Sequence, residues 1–290
     1  INSGVIDISS NERAFAALKS DGSVITWGDS SYGGNSSSVA SSINSGVIKI
    51  FPGARGAFAA LKSNGSLVTW GNSDYGGDSS SVSSDLSSGV TQVFSAHGPS
   101  GRASFAVLKG GSEVVSWGNY IQNTSTVSAS ISSGVKKVFS NRRALFALKT
   151  NGSVVTWGQS DMGGNSSSVA SSLNSGVKEI IPAFYAVAAL KDDGSVVTWG
   201  DATIGGSMSS PVNAASSLTS GVKKIISNDR AFAAIKSDGS VVTWGATSWG
   251  GDSSSVSSDL SSGVIDVIAS MGAFKALKSD GSVVGWGCLL

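Results

Sequence analysis

The stretch FAALKSDGSVITWG, from Phe15 to Gly28, constrains this chain more than any other feature because it is written seven times. It returns as FAALKSNGSLVTWG from Phe58, FAVLKGGSEVVSWG from Phe105, FALKTNGSVVTWG from Phe146, VAALKDDGSVVTWG from Val187, FAAIKSDGSVVTWG from Phe232 and FKALKSDGSVVGWG from Phe274. Each copy is too short to bury its own apolar residues and must pack them against its neighbours, so 290 residues read as one repeat domain. The units run approximately over residues 4–45, 46–88, 89–133, 134–175, 176–220, 221–262 and 263–290.

Each unit opens on Gly-Val and an alternating segment such as Val5 to Ile8, which predicts a strand with one face more buried than the other. Phe-Ala-Ala-Leu follows a variable loop and reads as a second strand buried on both faces. Asp-Gly or Asn-Gly then supplies the positive φ angles of a tight hairpin turn. Val-Val-Thr-Trp-Gly, β-branched and closed by an aromatic, is the third strand. The serine-rich linkers place apolar residues four apart, as in Val39 and Ile43 or Val82 and Leu86, and predict one or two helical turns or a short outer strand. The serines themselves read as solvated linkers.

Successive Trp residues (Trp27, Trp70, Trp117, Trp157, Trp199, Trp244, Trp286) stand 40 to 47 residues apart. Seven units of three antiparallel strands predict an all-β fold, a seven-bladed β-propeller spanning 1–290, with each Trp between neighbouring blades. First and last units as apolar as the middle ones are expected to meet in a closed ring. If blade boundaries are offset from the repeat, Val5 to Ile8 would complete the blade of Phe274 to Trp286.

The run Ala-Leu-Lys-Ser-Asp-Gly-Ser-Val-Val-Thr-Trp-Gly resembles the repeat of the RCC1 superfamily of seven-bladed propellers, which includes the bacterial β-lactamase inhibitor of the BLIP-II type. The resemblance covers all seven units and implies the fold. The Gly-x-x-His usual before the Ala-Leu strand is replaced by segments such as Asn11 to Ala14, and Gln-Leu-Gly after Trp-Gly becomes Gly-Gly-Asp or Gly-Gly-Asn. No functional residue carries over.

Hydrophobic residues make up 40% of the chain and charged residues 13%, enough apolar surface for a packed core. With 20 basic and 19 acidic residues, the net charge of +1 gives no general attraction to nucleic acid or an anionic bilayer. Cys288 is single, and no Cys and His cluster forms a tetrahedral metal site. No metal or cofactor is expected. No apolar run approaches the roughly 20 residues of a membrane span. The chain starts at Ile1 near the start of a repeat, which reads as a processed protein or an excised domain. Abundant serine, sparse lysine and glutamate, and sequons at Asn35, Asn64, Asn123, Asn151 and Asn165 lean towards an extracellular or cell-surface setting.

Alternating strand direction puts the loop between first and second strands on the same side as the exit loop after Trp-Gly, with the Asp-Gly hairpins on the other. All six arginines, Arg13, Arg55, Arg102, Arg142, Arg143 and Arg230, fall in the first of these loops. Guanidinium groups there suit a carboxylate, sulfate or phosphate on a partner, or bond loop carbonyls and neighbours such as Glu12 and Asp229. The hairpin side carries one lysine per unit, read as solvated charge that protects strand edges. The loops also differ among units: unit three has the longest, Ser95 to Ser104, with the single histidine His97. Unit five has Phe184 and Tyr185, and unit seven Met271. Tyr32, Tyr75, Met162, Ile204 and Trp249 occupy related places in the exit loops, either as interface aromatics and apolar residues or as plugs above the blades.

One histidine, one cysteine and no recurring carboxylate pair leave no nucleophile, base and orienter, so an enzyme is not expected. A calcium site at the Asp-Gly turns would have one carboxylate where several oxygens are needed. The residues predict a noncatalytic binding or structural module that presents Arg13, Arg55, His97, Arg102, Arg142, Arg143, Phe184, Tyr185, Arg230, Trp249 and Met271 to a protein or glycan. A protein inhibitor capping an enzyme's active site, or an intracellular exchange or scaffold factor, are the alternatives that the resemblance permits.

Overall fold

The computed structural model describes residues 3–53, 55–97, 103–118, 124–208 and 214–288. They form seven three-stranded sheets, each with its strands in chain order and joined antiparallel. Blade one is Val5–Ser10, Ala14–Lys19 and Val24–Gly28. Blade seven is Val264–Ala269, Ala273–Lys278 and Val283–Gly287, so it has its own first strand and blade boundaries coincide with the sequence repeat. The fold is all-β, a seven-bladed β-propeller with three-stranded antiparallel blades. Its backbone contacts divide it into two compact units, Ile1–Leu145 and Phe146–Leu290.

The first strands depart from simple alternation. Each described pairing of first and second strands shifts register after the opening valine, as between Val47 and Lys49 or Val177 and Glu179. An extra residue at such a bulge breaks the period of two. Val47 and Ile50, three apart, are therefore both buried, while Ile48 and Lys49 face solvent.

At the hairpins, Asp21 Oδ1 accepts the backbone N–H and the hydroxyl of Ser23, and Gly22 takes φ 77°. Asn64 and Asn151 make the same pair of bonds where their units have Asn instead of Asp. The turn also joins the next blade: Val47 N–H donates to Gly22 O at 3.0 Å, and a Cβ on Gly22 would stand 2.6 Å from Gly46 N. Glycine is needed here for conformation and for proximity alike.

The linkers are pinned at three points. Their second apolar residue, Ile43, Leu86, Ile131, Leu173, Leu218 or Leu260, is fully buried. Lys62 Nζ donates to Ser42 O at 2.7 Å, and Lys191, Lys236 and Lys278 do the same to Ser172, Ser217 and Asp259. These hairpin-side lysines thus hold the linker entering their own blade. Thr69 Oγ1 lies within hydrogen-bond distance of Gly77 O, at 3.0 Å, and of Ser79 Oγ, at 2.8 Å, so this linker serine is tied to a third strand instead of simply solvated. Among the described residues the linkers form 3-10 turns such as Ser37–Val39 and Ser254–Val256, and one α-helix, Thr124–Ile131.

Blades meet through a small, smooth face and a large, aromatic one. Between blades one and two, Ala14, Ala16 and Leu18 pack with Ile50, Phe58, Ala60 and Trp70. Phe58 pairs in register with Trp70 and stacks on it with ring centres 5.3 Å apart. Trp70 Nε1 donates to Gly33 O at 3.1 Å, and Trp117, Trp199 and Trp286 make the equivalent bond to Gly76, Gly163 and Gly250. Among the described residues the buried Nε1 atoms of Trp157 and Trp244 have no hydrogen-bond partner. The Gly after each Trp serves the blade's own second strand: a Cβ on Gly28 would lie 2.5 Å from Arg13 O.

Blades four and five break the pattern together. In the strand Ala144–Lys149 it is Leu145 that stands where other blades have Phe, and Phe146 falls one place later, where they have Ala. The repeat reading that equates Phe146 with Phe15 is therefore off by one residue. In blade five Val187 takes the Phe position opposite Trp199. Phe146 fills the vacated volume, meeting Trp199 edge-on at 6.1 Å, and both Phe146 and Val187 are fully buried. The aromatic partner of this Trp comes from the neighbouring blade.

Candidate functional site

The loop side is built on an asparagine that sequence reasoning passed over. In blade one, Asn11 Oδ1 accepts the N–H groups of Arg13 and Ala14, closing the loop back on the second strand. Its Nδ2 donates to Tyr32 O at 2.8 Å, which brings the exit loop alongside. Blade six repeats the arrangement: Asn228 Oδ1 accepts from Arg230 and Ala231, and Nδ2 donates to Trp249 O at 2.7 Å. In blade four Asn141 accepts from Arg143 and Ala144. The signal was present as Asn-x-Arg-Ala at residues 11, 141 and 228.

This frame puts an arginine over an aromatic ring. The Arg13 guanidinium lies 4.9 Å from the centre of the Tyr32 ring, and that of Arg230 4.8 Å from Trp249. Stacking of this kind holds the planar group in place while its edges stay open to solvent. Behind each ring stands a glycine of the following blade. A Cβ on Gly56 would lie 3.1 Å from the Tyr32 ring, and one on Gly272 3.6 Å from that of Trp249. Tyr32 and Trp249 are half-buried and plug the space above their blades, and the arginines that cover them are exposed.

Within the unit Ile1–Leu145, Arg55 Nε meets Glu12 Oε1 at 3.0 Å, linking the loops of blades one and two. Asp29 accepts hydrogen bonds from the Ser31 hydroxyl and N–H, and these, with a smaller contribution from Arg13, hold its carboxyl below the usual range. Arg142 and Arg143 are half-buried, and the Arg143 Nε lies inside. His97 ends the first strand of blade three, where its backbone pairs with Ala103; its side chain and Arg102 lie outside the described residues.

Within the unit Phe146–Leu290 the remaining candidates come together. Phe184 and Tyr185 meet edge to face at 5.9 Å, and Phe184 N–H donates to Asp229 O at 3.0 Å, tying this loop to the one that carries Arg230. Met271, next to the glycine behind Trp249, is 74% exposed. Backbone and ring contacts thus set the loops of blades five, six and seven that carry Phe184, Tyr185, Arg230, Trp249 and Met271 side by side, as one strip of adjoining loops. Among the described residues no group of three or more His, Cys, Asp or Glu side chains could hold a metal ion. No helix among them is long and apolar enough to cross a membrane.

No protein-family model matches the sequence, and comparison with curated proteins found no match. Solved structures with a similar chain path include propeller proteins of low identity. The CRINKLY WD40 ectodomain of the Arabidopsis thaliana receptor kinase ACR4 is 19% identical, with a TM-score of 0.40 over 98% of each chain. The Physcomitrella patens receptor kinase CR4 ectodomain is 17% identical with a TM-score of 0.44; 80% of the present chain aligns and spans 60% of that ectodomain. Prp20p of Saccharomyces cerevisiae, studied for its binding to Gsp1p and histones, is 15% identical with a TM-score of 0.41 over 83% of this chain and 72% of its own. The blade architecture described above follows from this chain's own strand pairing.

Proposed function

We propose that this protein is a noncatalytic binding module that docks a partner protein on the loop side of blades five to seven. The observation that carries this reading is the strip of Phe184, Tyr185, Arg230, Trp249 and Met271. Aromatic residues, Met and Arg are the types enriched at the centres of protein interfaces. Arg230 already lies over the Trp249 ring before any partner arrives, so little side-chain freedom is lost on binding. A carboxylate on the partner is the matching group for its open edge. Arg13 on Tyr32 and Arg55 beside Glu12 offer a second, more polar patch in the first unit. The serine-rich, lysine-poor composition supports placing this module outside the cell.

Pull-down from the source organism's extracellular and intracellular fractions, with wild-type chain and an Arg230→Ala/Met271→Asp variant side by side, tests this. The variant is expected to lose a protein partner that a hairpin-side control, Ser279→Asp, retains. Equal recovery by all three, or retention of glycans only, sinks the reading. The inhibitor alternative uses the same strip but requires one-to-one inhibition of a hydrolase.

A further inference from the structure

We propose that Asn64 and Asn151 are sites of spontaneous deamidation that their hairpins hold in check, so that loss of each amide is a one-way record of how often its turn has opened. They are the two asparagines of the chain that precede a glycine, and both are exposed at the turn between second and third strands. The following residue matters because the reaction starts with its backbone nitrogen attacking the side-chain carbonyl, and a residue without Cβ leaves that approach open. Asn35 and Asn165 are exposed as well, but Ser36 and Ser166 follow them.

In blade two, Gly65 N attacks Asn64 Cγ, its proton ends on the departing Nδ2, which leaves as ammonia, and the new Cγ–N bond closes a succinimide. Water then opens the ring at one of its two carbonyls. Cleavage at Cγ leaves aspartate. Cleavage at the main-chain carbonyl leaves isoaspartate, whose backbone runs through Cγ and is one carbon longer.

The folded turn withholds nucleophile and electrophile together. Gly65 N–H donates to Lys62 O at 2.9 Å, while Asn64 Oδ1 accepts the N–H and the hydroxyl of Ser66 at 3.0 and 2.7 Å. In blade four Gly152 N–H donates to Lys149 O at 3.0 Å, and Ser153 holds Asn151 in the same way. Ring closure needs the glycine nitrogen released from that carbonyl and the side chain swung off the serine. It therefore runs from an opened hairpin, at a rate that follows the fraction of time the turn is open.

The two products differ in how the turn recloses. Aspartate stands at the same place in Asp21, Asp193, Asp238 and Asp280 and makes the same serine bonds, so that product fits. Isoaspartate lengthens the chain where the turn joins the next blade. Val90 N–H donates to Gly65 O and Val177 N–H to Gly152 O, each at 2.9 Å. A Cβ on Gly65 would already stand 2.9 Å from Gly89 N, and one on Gly152 2.7 Å from Gly176 N, so an added carbon loosens the seam. Conversion at both sites to either product adds two negative charges to a chain of net charge +1. The four aspartate turns resist the same attack, because an ionised carboxylate is a poor electrophile and their serine bonds favour the ionised form.

Peptide mapping by mass spectrometry tests the proposal on the full chain, made in bacteria so that the sequons stay unmodified and incubated at mildly alkaline pH with and without urea. Asn64 and Asn151 should gain the mass of an amide-to-acid conversion in both states, about tenfold or more slowly in the folded one, while Asn35 and Asn165 keep their amides. Ser66→Ala and Ser153→Ala should each speed conversion at its own turn by about threefold or more in the folded chain, and leave the rate in urea unchanged. Chains carrying isoaspartate, identified by enzymatic methylation, should melt below an Asn64→Asp/Asn151→Asp variant, whose Tm should stay close to wild type. Folded chains that keep both amides through incubations many times longer than the unfolded chain needs overturn the proposal. So do equal rates in the two states, serine variants that convert no faster than wild type, and a double aspartate variant that melts as low as the isoaspartate chains.

Discussion

Exchanging the residues at the joint of blades four and five separates packing between neighbours from packing within a blade. Phe146 and Val187 are both fully buried, and a Cβ on Gly163 would stand 2.7 Å from Val187 Cγ2 and 3.4 Å from the Phe146 ring. Phe146→Ala removes a phenyl from a closed site and should cost about 3–5 kcal/mol. Val187→Phe adds a ring where one already stands, with about 1–3 kcal/mol of overpacking. Combining them recreates the arrangement of blades one and two, where Ala16 faces the Phe58 and Trp70 stack, and should cost only about 1 kcal/mol. The double-mutant cycle should thus show favourable coupling of about 3 kcal/mol or more, the upper end for side chains in contact. Urea denaturation followed by tryptophan fluorescence measures all four corners. Single effects that add to within about 0.5 kcal/mol would refute the exchange of volume between blades.

Two further predictions concern the hairpins and the tryptophan layer. Serine hydrogen bonds hold the carboxyls of Asp21, Asp193, Asp238 and Asp280 below their ordinary value of 3.8. They therefore stabilise the fold fully above that value and lose the contribution as pH falls through the lower folded values. Changing all four to Asn, as Asn64 and Asn151 already are, should flatten the acid side of the Tm–pH curve; an unchanged curve would argue that these turns do not set acid stability. Trp199→Phe breaks the bond to Gly163 O, whereas Trp244→Phe removes a buried N–H that has no partner among the described residues. Trp244→Phe should be less destabilising by about 1–3 kcal/mol in the same urea assay, and equal costs would contradict a stabilising role for that bond.

The blades were legible in the sequence because their signals are local. Asp-Gly or Asn-Gly needs only its own turn, and Phe-Ala-Ala-Leu with Val-Thr-Trp-Gly declares two paired strands within a few residues of that turn. What escaped depends on a partner elsewhere in the chain. The first-strand bulge at Val47 and Lys49 is a mismatch with the second strand and is invisible in the first strand alone. The lysines read as solvated because Ser42 O or Ser172 O comes within reach only once the linker has folded back. At the loop side, the arginines and aromatics were found but not their pairing, since Arg13 and Tyr32 sit in separate loops that only antiparallel strands bring together. Asn11 and Asn228 read in sequence only as turn residues, because the second bond of each runs to an exit loop 21 residues further along the chain.

The glycine behind each arginine-capped ring bears on how such a chain can be rebuilt. Tyr32 needs Gly56 and Trp249 needs Gly272, each supplied by the next blade, just as Val187 needs Phe146 from the one before. A blade transplanted to another position would arrive without its counterpart. Shuffling, duplication or computational redesign of these repeats will therefore succeed when the cut is made through the middle of a blade, so that each inherited segment carries a complete seam.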